Sequence, residues 1–291
     1  MQTKKVVSVL LAGVTTLSMA MPVLAANGDP NLVVTPDTKY STPIQANSSV
    51  TLGLMPANAY YQRTGFDSDT DAAKGLKVSK INLGEDKIST DFAYGSKTVD
   101  GLYAGTVTVK GKKGQYGPAS LHIVNENNTS AGSDMTVYVE AAETQKDVTV
   151  SKVQVKDLSG DNVITEDEQN LSVSAAAKKT SNPFNGSEGA AQSYPTAGDA
   201  LYSLAEAEGM SFEQNEGYVQ SVTDKGENTL EAYTTEDWTY YGWNYCVVRN
   251  GKKVAEGDIL SASVLEVEEG DSVYWAFGTM DQANEYFNGL K

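Results

Sequence analysis

The 291-residue chain carries 38 acidic against 22 basic residues, a net charge of −16, with one histidine and one cysteine. So acidic a surface repels nucleic acid and anionic lipid, and neither is an expected partner. One cysteine excludes an internal disulfide, and one histidine excludes a zinc site built on several histidines.

The chain opens with a secretory pattern. Lys4 and Lys5 precede an apolar stretch from Val6 to Ala20, and Val23-Leu24-Ala25 supplies small residues before a cut ahead of Ala26 or Asn27. Residues 1–26 are therefore expected to be a signal peptide. The segment holds two lysines and no acid, so its removal takes the charge from −16 to −18. About 265 residues remain, enough for two ordinary domains. No cysteine stands at the end of the signal segment to take a lipid anchor. The expected product is a secreted monomer without membrane insertion, soluble or held at the surface by a partner.

Residues 31–142 read as all-β. Strands are expected at 32–34, 49–54, 76–83, 101–109, 120–124 and 135–139. Val50, Leu52 and Leu54 share a face, as do Met135, Val137 and Val139, because side chains alternate along a strand. Short strands with regular turns predict a β-sandwich, with an immunoglobulin-like topology as the expectation. Tyr60 to Ala73 breaks the pattern. Its Asp67, Asp69 and Asp71 read as a cation-binding loop or as a solvated acidic turn. His122 sits opposite Leu121 and Ile123 in parity and is expected to face solvent. No G-x-S-x-G, phosphate-cradling glycine loop or H-E-x-x-H occurs, and no enzyme is expected.

Ala141 to Lys146 reads as a linker. In the strand that follows, Val148 and Val150 share one parity and Val153 and Val155 the other, so a bulge is expected near Ser151-Lys152. The next twelve residues, Asp157 to Glu168, have the spacing of a calcium loop. Its candidate ligands are Asp157, Ser159, Asp161, Thr165 and Glu168, with Asn162 where glycine is usual. The other reading of these residues is an acidic hairpin turn. A helix then begins. Thr196 is the expected N-cap with Asp199 three residues on, Ala197, Ala200, Leu201, Leu204 and Ala205 form its apolar face, and Gly209 ends it. Tyr218 to Val222 is a short strand. Tyr240 to Val248 is a strand ending on the hairpin signal Asn250-Gly251, and Ser272 to Phe277 is the last strand. Residues 279–291 read as a short terminal helix or tail. Hairpin, one helix, then strands is the order of a β-grasp-like α+β domain.

The ordered set Pro195-Thr196-Ala197-Gly198-Asp199-Ala200-Leu201, Gly217-Tyr218-Val219-Gln220-Ser221-Val222, Gly242-Trp243-Asn244-Tyr245, Asn250-Gly251 and Glu269-Gly270-Asp271-Ser272-Val273-Tyr274-Trp275 resembles the transcobalamin-like C-terminal domain family. The resemblance covers residues 147–278 and departs between Tyr245 and Asn250, where this chain has extra residues. It implies a β-grasp-like domain and, by way of the eukaryotic carriers, one face of a corrinoid (cobalamin-like) site. No helical-repeat domain is present to hold the other face.

All three tryptophans fall in this half. Trp238, Tyr240, Tyr241, Trp243, Tyr245, Tyr274 and Trp275 read as an aromatic platform for a corrinoid, a glycan or a surface protein. The competing reading places Trp243, Tyr245 and Trp275 in the core and leaves Trp238 and Tyr240 exposed among acids and threonines. A structural or adhesive surface protein is the alternative function.

Overall fold

The computed structural model describes residues 29–160, 163–185, 193–215, 217–254 and 260–290; the expected signal peptide lies outside them. The N-terminal domain is a sandwich of two four-stranded sheets. Its strands are β1 (Asn31–Val34), β2 (Ser41–Ile44), β3 (Ser49–Ala57), β4 (Leu76–Leu83), β5 (Ala93–Val99), β6 (Leu102–Lys110), β7 (Gly117–Asn125) and β8 (Asn128–Val139). One sheet runs β1-β3-β6-β5 and the other β2-β8-β7-β4. Leu52, Leu54, Val107 and Val109 from one sheet meet Leu121, Ile123, Met135 and Val137 from the other, all fully buried. Each such side chain contributes about 1.5–3 kcal/mol of burial. The alternation that marked these strands is the packing itself.

Two strands escaped the pattern. β2 holds Pro43 and pairs parallel with β8 at the sheet edge, where a missing N–H is tolerated. β5 is polar and pairs only with β6. The acidic stretch after Tyr60 folds in part as a helix. Asp69–Lys74 forms the short helix α1, and Ser68 caps it by accepting from the Asp71 amide. Asp69 accepts from Ser96 and Asp71 from Ser68, both at 2.6 Å. Asp71 thus serves the helix cap, and Asp69 ties α1 to β5. His122 is half-exposed on the sheet's outer face, its Nδ1 2.8 Å from Asp134.

The C-terminal domain comprises β9 (Val148–Asp157), β10 (Thr165–Val173), α2 (Ala197–Glu208), β11 (Ser211–Asn215), β12 (Tyr218–Thr223), β13 (Thr229–Glu231), β14 (Tyr233–Thr234), β15 (Tyr240–Arg249), β16 (Lys252–Lys253), β17 (Ser272–Gly278) and α3 (Met280–Asn288). The main sheet runs β10-β9-β17-β15-β14, with β9 and β17 parallel at its centre. First and last strands side by side, with a helix across one face, is the β-grasp arrangement. β11, β12 and β13 form a separate small sheet. The parity change in β9 falls at Ser151, but Lys152 still pairs with Gln169 and Val150 with Leu171. No extra residue is inserted. The irregularity lies opposite, in Asn170 at φ +53°.

Thr196 and Asp199 form a capping box on α2, and Gly209 closes it at φ +69°. The helix is more enclosed than one apolar stripe requires, since Gly198, Asp199, Tyr202 and Ser203 are buried as well. Asp199 accepts from the Thr196 amide and hydroxyl and from Asn182 Nδ2. Burial drives its carboxyl up to about 7, against the pull of those donors. The terminal stretch is helix α3, packed on the opposite sheet face: Ala283 and Phe287 cover Cys246, Val248 and Ala276. Cys246 is accordingly a buried thiol, pushed up to about 11 by desolvation.

The two domains meet through more than the linker. Tyr138 and Leu83 of the sandwich pack into the C-terminal core, and Tyr116 stacks on Tyr194 at 5.1 Å. Lys87 pairs with Glu266 while donating to the Tyr116 carbonyl at 2.8 Å. Gly117, at φ +102°, lies so close to the Glu266 carboxylate that a Cβ there would sit 2.7 Å from it.

Candidate functional site

The site is built on the register of β15. Antiparallel pairing sets Trp243 opposite Phe277, Tyr245 opposite Trp275 and Tyr233 opposite Tyr241. The odd-numbered side chains of β15 therefore form one aromatic ladder. At its inner end Tyr245 and Trp275 lie 5.3 Å apart, and Tyr245 donates to the Leu260 carbonyl. Trp243 sits midway, half-buried, packed on Phe277 at 5.2 Å and donating to the Leu230 carbonyl. At the outer end Tyr233 and Tyr241 stack at 5.0 Å with planes 4° apart. The core thus continues outward as a row of rings and ends in a rigid stacked pair on the edge strand.

Beyond that pair the chain turns through Thr235–Thr239. The Thr235 amide donates to the Thr239 carbonyl, the Trp238 amide donates to the Thr235 carbonyl, and the Thr239 amide donates to Thr235 Oγ1. This frame puts Trp238 at φ +67°, a left-handed conformation that glycine or asparagine normally supplies. Trp238 is nonetheless 88% exposed. Tyr240, on the opposite face of β15, lies over Gly242, where a Cβ would come within 2.6 Å of the ring. Tyr240 is exposed beside the tip.

The tip is acidic. Glu231, Glu236 and Asp237 flank it. Hydrogen bonds from the Thr235 side chain first, then from the Thr239 amide, hold the Asp237 carboxyl below its usual range. Tyr240 is shifted the other way by desolvation, as is Tyr245 by its burial. No nucleophile and base are brought together here.

The expected platform therefore divides. Trp238, Tyr240 and Tyr241 are at the surface edge and Trp243 is at its boundary. Tyr245 and Trp275 are core residues, Trp275 being 2% exposed, and they offer no face to a ligand. Tyr274 points to the other face, against Tyr286 of α3. Tyr233 belongs to the edge and was missed, because only the hairpin register sets it against Tyr241.

The calcium-like spacing does not close on itself. Asp157 is buried at the end of β9, its carboxylate accepting from the Ser159 and Val163 amides. Thr165 and Glu168 are in β10, paired with Lys156 and Val153, so the ladder carries Glu168 away from Asp157. Asp161 lies outside the described residues. Among the described residues no group of three His, Cys, Asp or Glu is placed to hold a metal ion. A cavity of about 200 Å³, lined by Asn47, Lys112, Tyr116, Glu140 and Gln145 among others, lies by the linker. No described helix is long and apolar enough to cross a membrane.

No family model and no curated protein matches the sequence. Among solved structures, the chain is similar to the Escherichia coli adhesin FdeC at 14% identity and a TM-score of 0.28, over 46% of this chain and 37% of that one. It is similar to domains 6–7 of the surface-layer protein SbsC at 12% identity and a TM-score of 0.27, over 87% of this chain and 94% of that one. A third match is the N-terminal eight immunoglobulin domains of the Down syndrome cell adhesion molecule, at 7% identity and a TM-score of 0.25, covering 87% of this chain and 24% of that one. The chain thus spans little more than a third of the adhesin it matches, and likeness at this level carries no argument about function.

Proposed function

We propose that this chain is an extracellular, non-catalytic interaction protein that holds a protein or glycan partner through the aromatic edge of its C-terminal domain. The observation that carries the reading is Trp238, an indole almost wholly in water on a strained hairpin tip, backed by a rigid tyrosine stack. A large exposed indole held in a costly backbone conformation stabilises nothing inside the chain. Strain of this kind persists where the side chain has work outside the fold. The extracellular setting rests on the secretory pattern of residues 1–26.

The resemblance to the transcobalamin-like family adds a corrinoid as a candidate ligand. With Tyr245 and Trp275 in the core, a corrinoid would have to rest on Trp238, Tyr240, Tyr241 and Tyr233 alone. An edge strand with a projecting tip gives it no concave wall, whereas small-ligand sites are concave. The surface-partner reading is therefore preferred.

The test compares the mature chain with Trp238→Ala. Binding to the isolated cell-surface fraction of the producing cells is measured by biolayer interferometry, and heats with cobalamin and cobinamide by calorimetry. The expected result is a loss of at least about tenfold on Trp238→Ala, the size of a truncated aromatic hot spot, with no heat from either corrinoid. Equal binding by the two proteins overturns the reading, and saturable heat with cobinamide replaces it with the corrinoid one.

A further inference from the structure

The five-residue frame that presents Trp238 occurs again in the other domain. In Asn58–Gln62 the Asn58 amide donates to the Gln62 carbonyl, the Tyr61 amide donates to the Asn58 carbonyl, and the Gln62 amide donates to Asn58 Oδ1. Position for position, these are the bonds of Thr235–Thr239. The fourth residue is again aromatic and again left-handed: Tyr61 at φ +59°. Tyr61 is 62% exposed and its neighbour Tyr60 83%.

A third copy of the frame shows that it does not itself call for a ring. In Asp224–Asn228 the same three bonds form and the left-handed residue is Glu227, at φ +63°. The other non-glycine residues with positive φ among those described are Asn47, Asp100, Asn170 and Asn250, the types that adopt this conformation at least cost. Tyr61, Glu227 and Trp238 are the three that break the rule, each at the fourth position of this frame, and the two aromatic ones are both displayed to water.

The Tyr61 tip lies far from the Trp238 tip. β3 begins beside the domain junction: the Gly111 amide donates to Ser48 and the Lys112 amide to Lys87, which pairs with Glu266. Its nine residues carry the chain about 26 Å away before the loop begins. β15 does the same in the other domain. Its Arg249 end donates to the Glu266 carbonyl at the junction, and its Tyr240 end is about 30 Å off. Each tip stands at the end of its domain remote from the junction.

From these observations we infer that the Asn58–Gln62 loop is a second docking site, whose occupant is a protein offering an uncharged apolar pocket. Residues 57–62 carry no charge, and the adjacent Arg63 is taken by Asp100 at 3.1 Å. In a chain of net charge −16 this tip asks for no counter-charge. It is convex, so it enters a partner rather than enclosing one, which favours a protein pocket over a sugar. Asn58 and Gln62 bond each other and the loop's own amides, so the tip is held in shape while the two tyrosine rings supply contact area with little rotamer entropy to lose. With the Trp238 edge at the other end, the chain is two-headed and bridges partners.

The test places p-benzoylphenylalanine at position 61 of the full mature chain, and separately at position 227 as the same frame without a ring. Each protein is irradiated with the isolated cell-surface fraction. The expected result is one discrete adduct from position 61, sensitive to protease and not to glycosidases, and none from position 227. Excess unlabelled wild-type chain should compete it away, while the unlabelled double variant Tyr60→Ser/Tyr61→Gly should not. That variant should melt about 2 °C or more above wild type, since glycine relieves the left-handed strain, so failed competition cannot be ascribed to unfolding. No adduct, an equal adduct from position 227, competition by the variant, or an adduct digested by glycosidases alone each overturns the proposal. None of these outcomes depends on Trp238.

Discussion

Removing Lys87 should uncouple the two domains. Its ammonium pairs with Glu266, a carboxylate with 7% of its side chain exposed, and the lysine side chain is itself 14% exposed. Burial raises the Glu266 carboxyl first, and Lys87, the largest opposing influence, draws it back down. Lys87→Ala leaves that carboxylate enclosed beside Gly117 with its counter-charge gone. Breaking a buried pair from one side costs about 3–5 kcal/mol, and the low end applies because Lys87 keeps some solvent. The sign of the pH dependence follows. A carboxylate whose folded value is raised binds its proton more readily in the folded state. The stability it contributes is therefore lost as pH rises above the ordinary glutamate range. In Lys87→Ala the raise is larger, so the deficit should be greatest at pH 8 and shrink toward pH 5. The assay is urea unfolding followed by tryptophan fluorescence, which reports the C-terminal domain alone, and by far-ultraviolet circular dichroism, which reports both. In Lys87→Ala the two curves should separate. The double variant Lys87→Met/Glu266→Gln should recover most of the loss, because no buried charge remains. A deficit below about 0.5 kcal/mol at pH 8, or one that does not change with pH, would refute this account of the junction.

Two further outcomes follow from the C-terminal domain. Asp199→Asn should cost about 1 kcal/mol through the lost capping box, and should also flatten the pH dependence. With its carboxyl raised to about 7, wild-type stability should fall as pH rises from about 4 to 7, and urea midpoints across that range check it. Phe287→Ala should destabilise the domain by about 3 kcal/mol, as a core cavity does, measured by the shift in urea midpoint. A change below about 0.5 kcal/mol would mean α3 is an ornament on the sheet and not its cover.

The elements of this fold were mostly local in origin, and so were legible. Alternation marked β3, β6, β7 and β8 because the same period that separates two sheet faces separates apolar from polar side chains. The capping box of α2, its glycine stop and the Asn250-Gly251 turn depend on residues three or four apart, and all three stand where the residues placed them. The split of the aromatic set was half legible too. Parity grouped Trp243 with Tyr245, and acids around Trp238 marked it as exposed.

What the residues could not disclose depends on partners distant in the chain. β2 and β5 are strands because neighbours hold them, not because of their own pattern. Asp157 and Glu168 have the spacing of a metal loop, but the β9–β10 ladder carries one away from the other. Tyr233 became part of the site only when the hairpin set it on Tyr241. The segment 141–146 has the composition of a linker, yet Lys87 and Glu266, 179 residues apart, close the junction beside it. Composition and spacing determined the β-rich character and the helix with its caps, since these are short-range consequences of side-chain shape and polarity. Tertiary structure alone decided which aromatics face water, which carboxylates meet and how the domains lock, because burial and register are properties of surfaces that come together only in the folded chain.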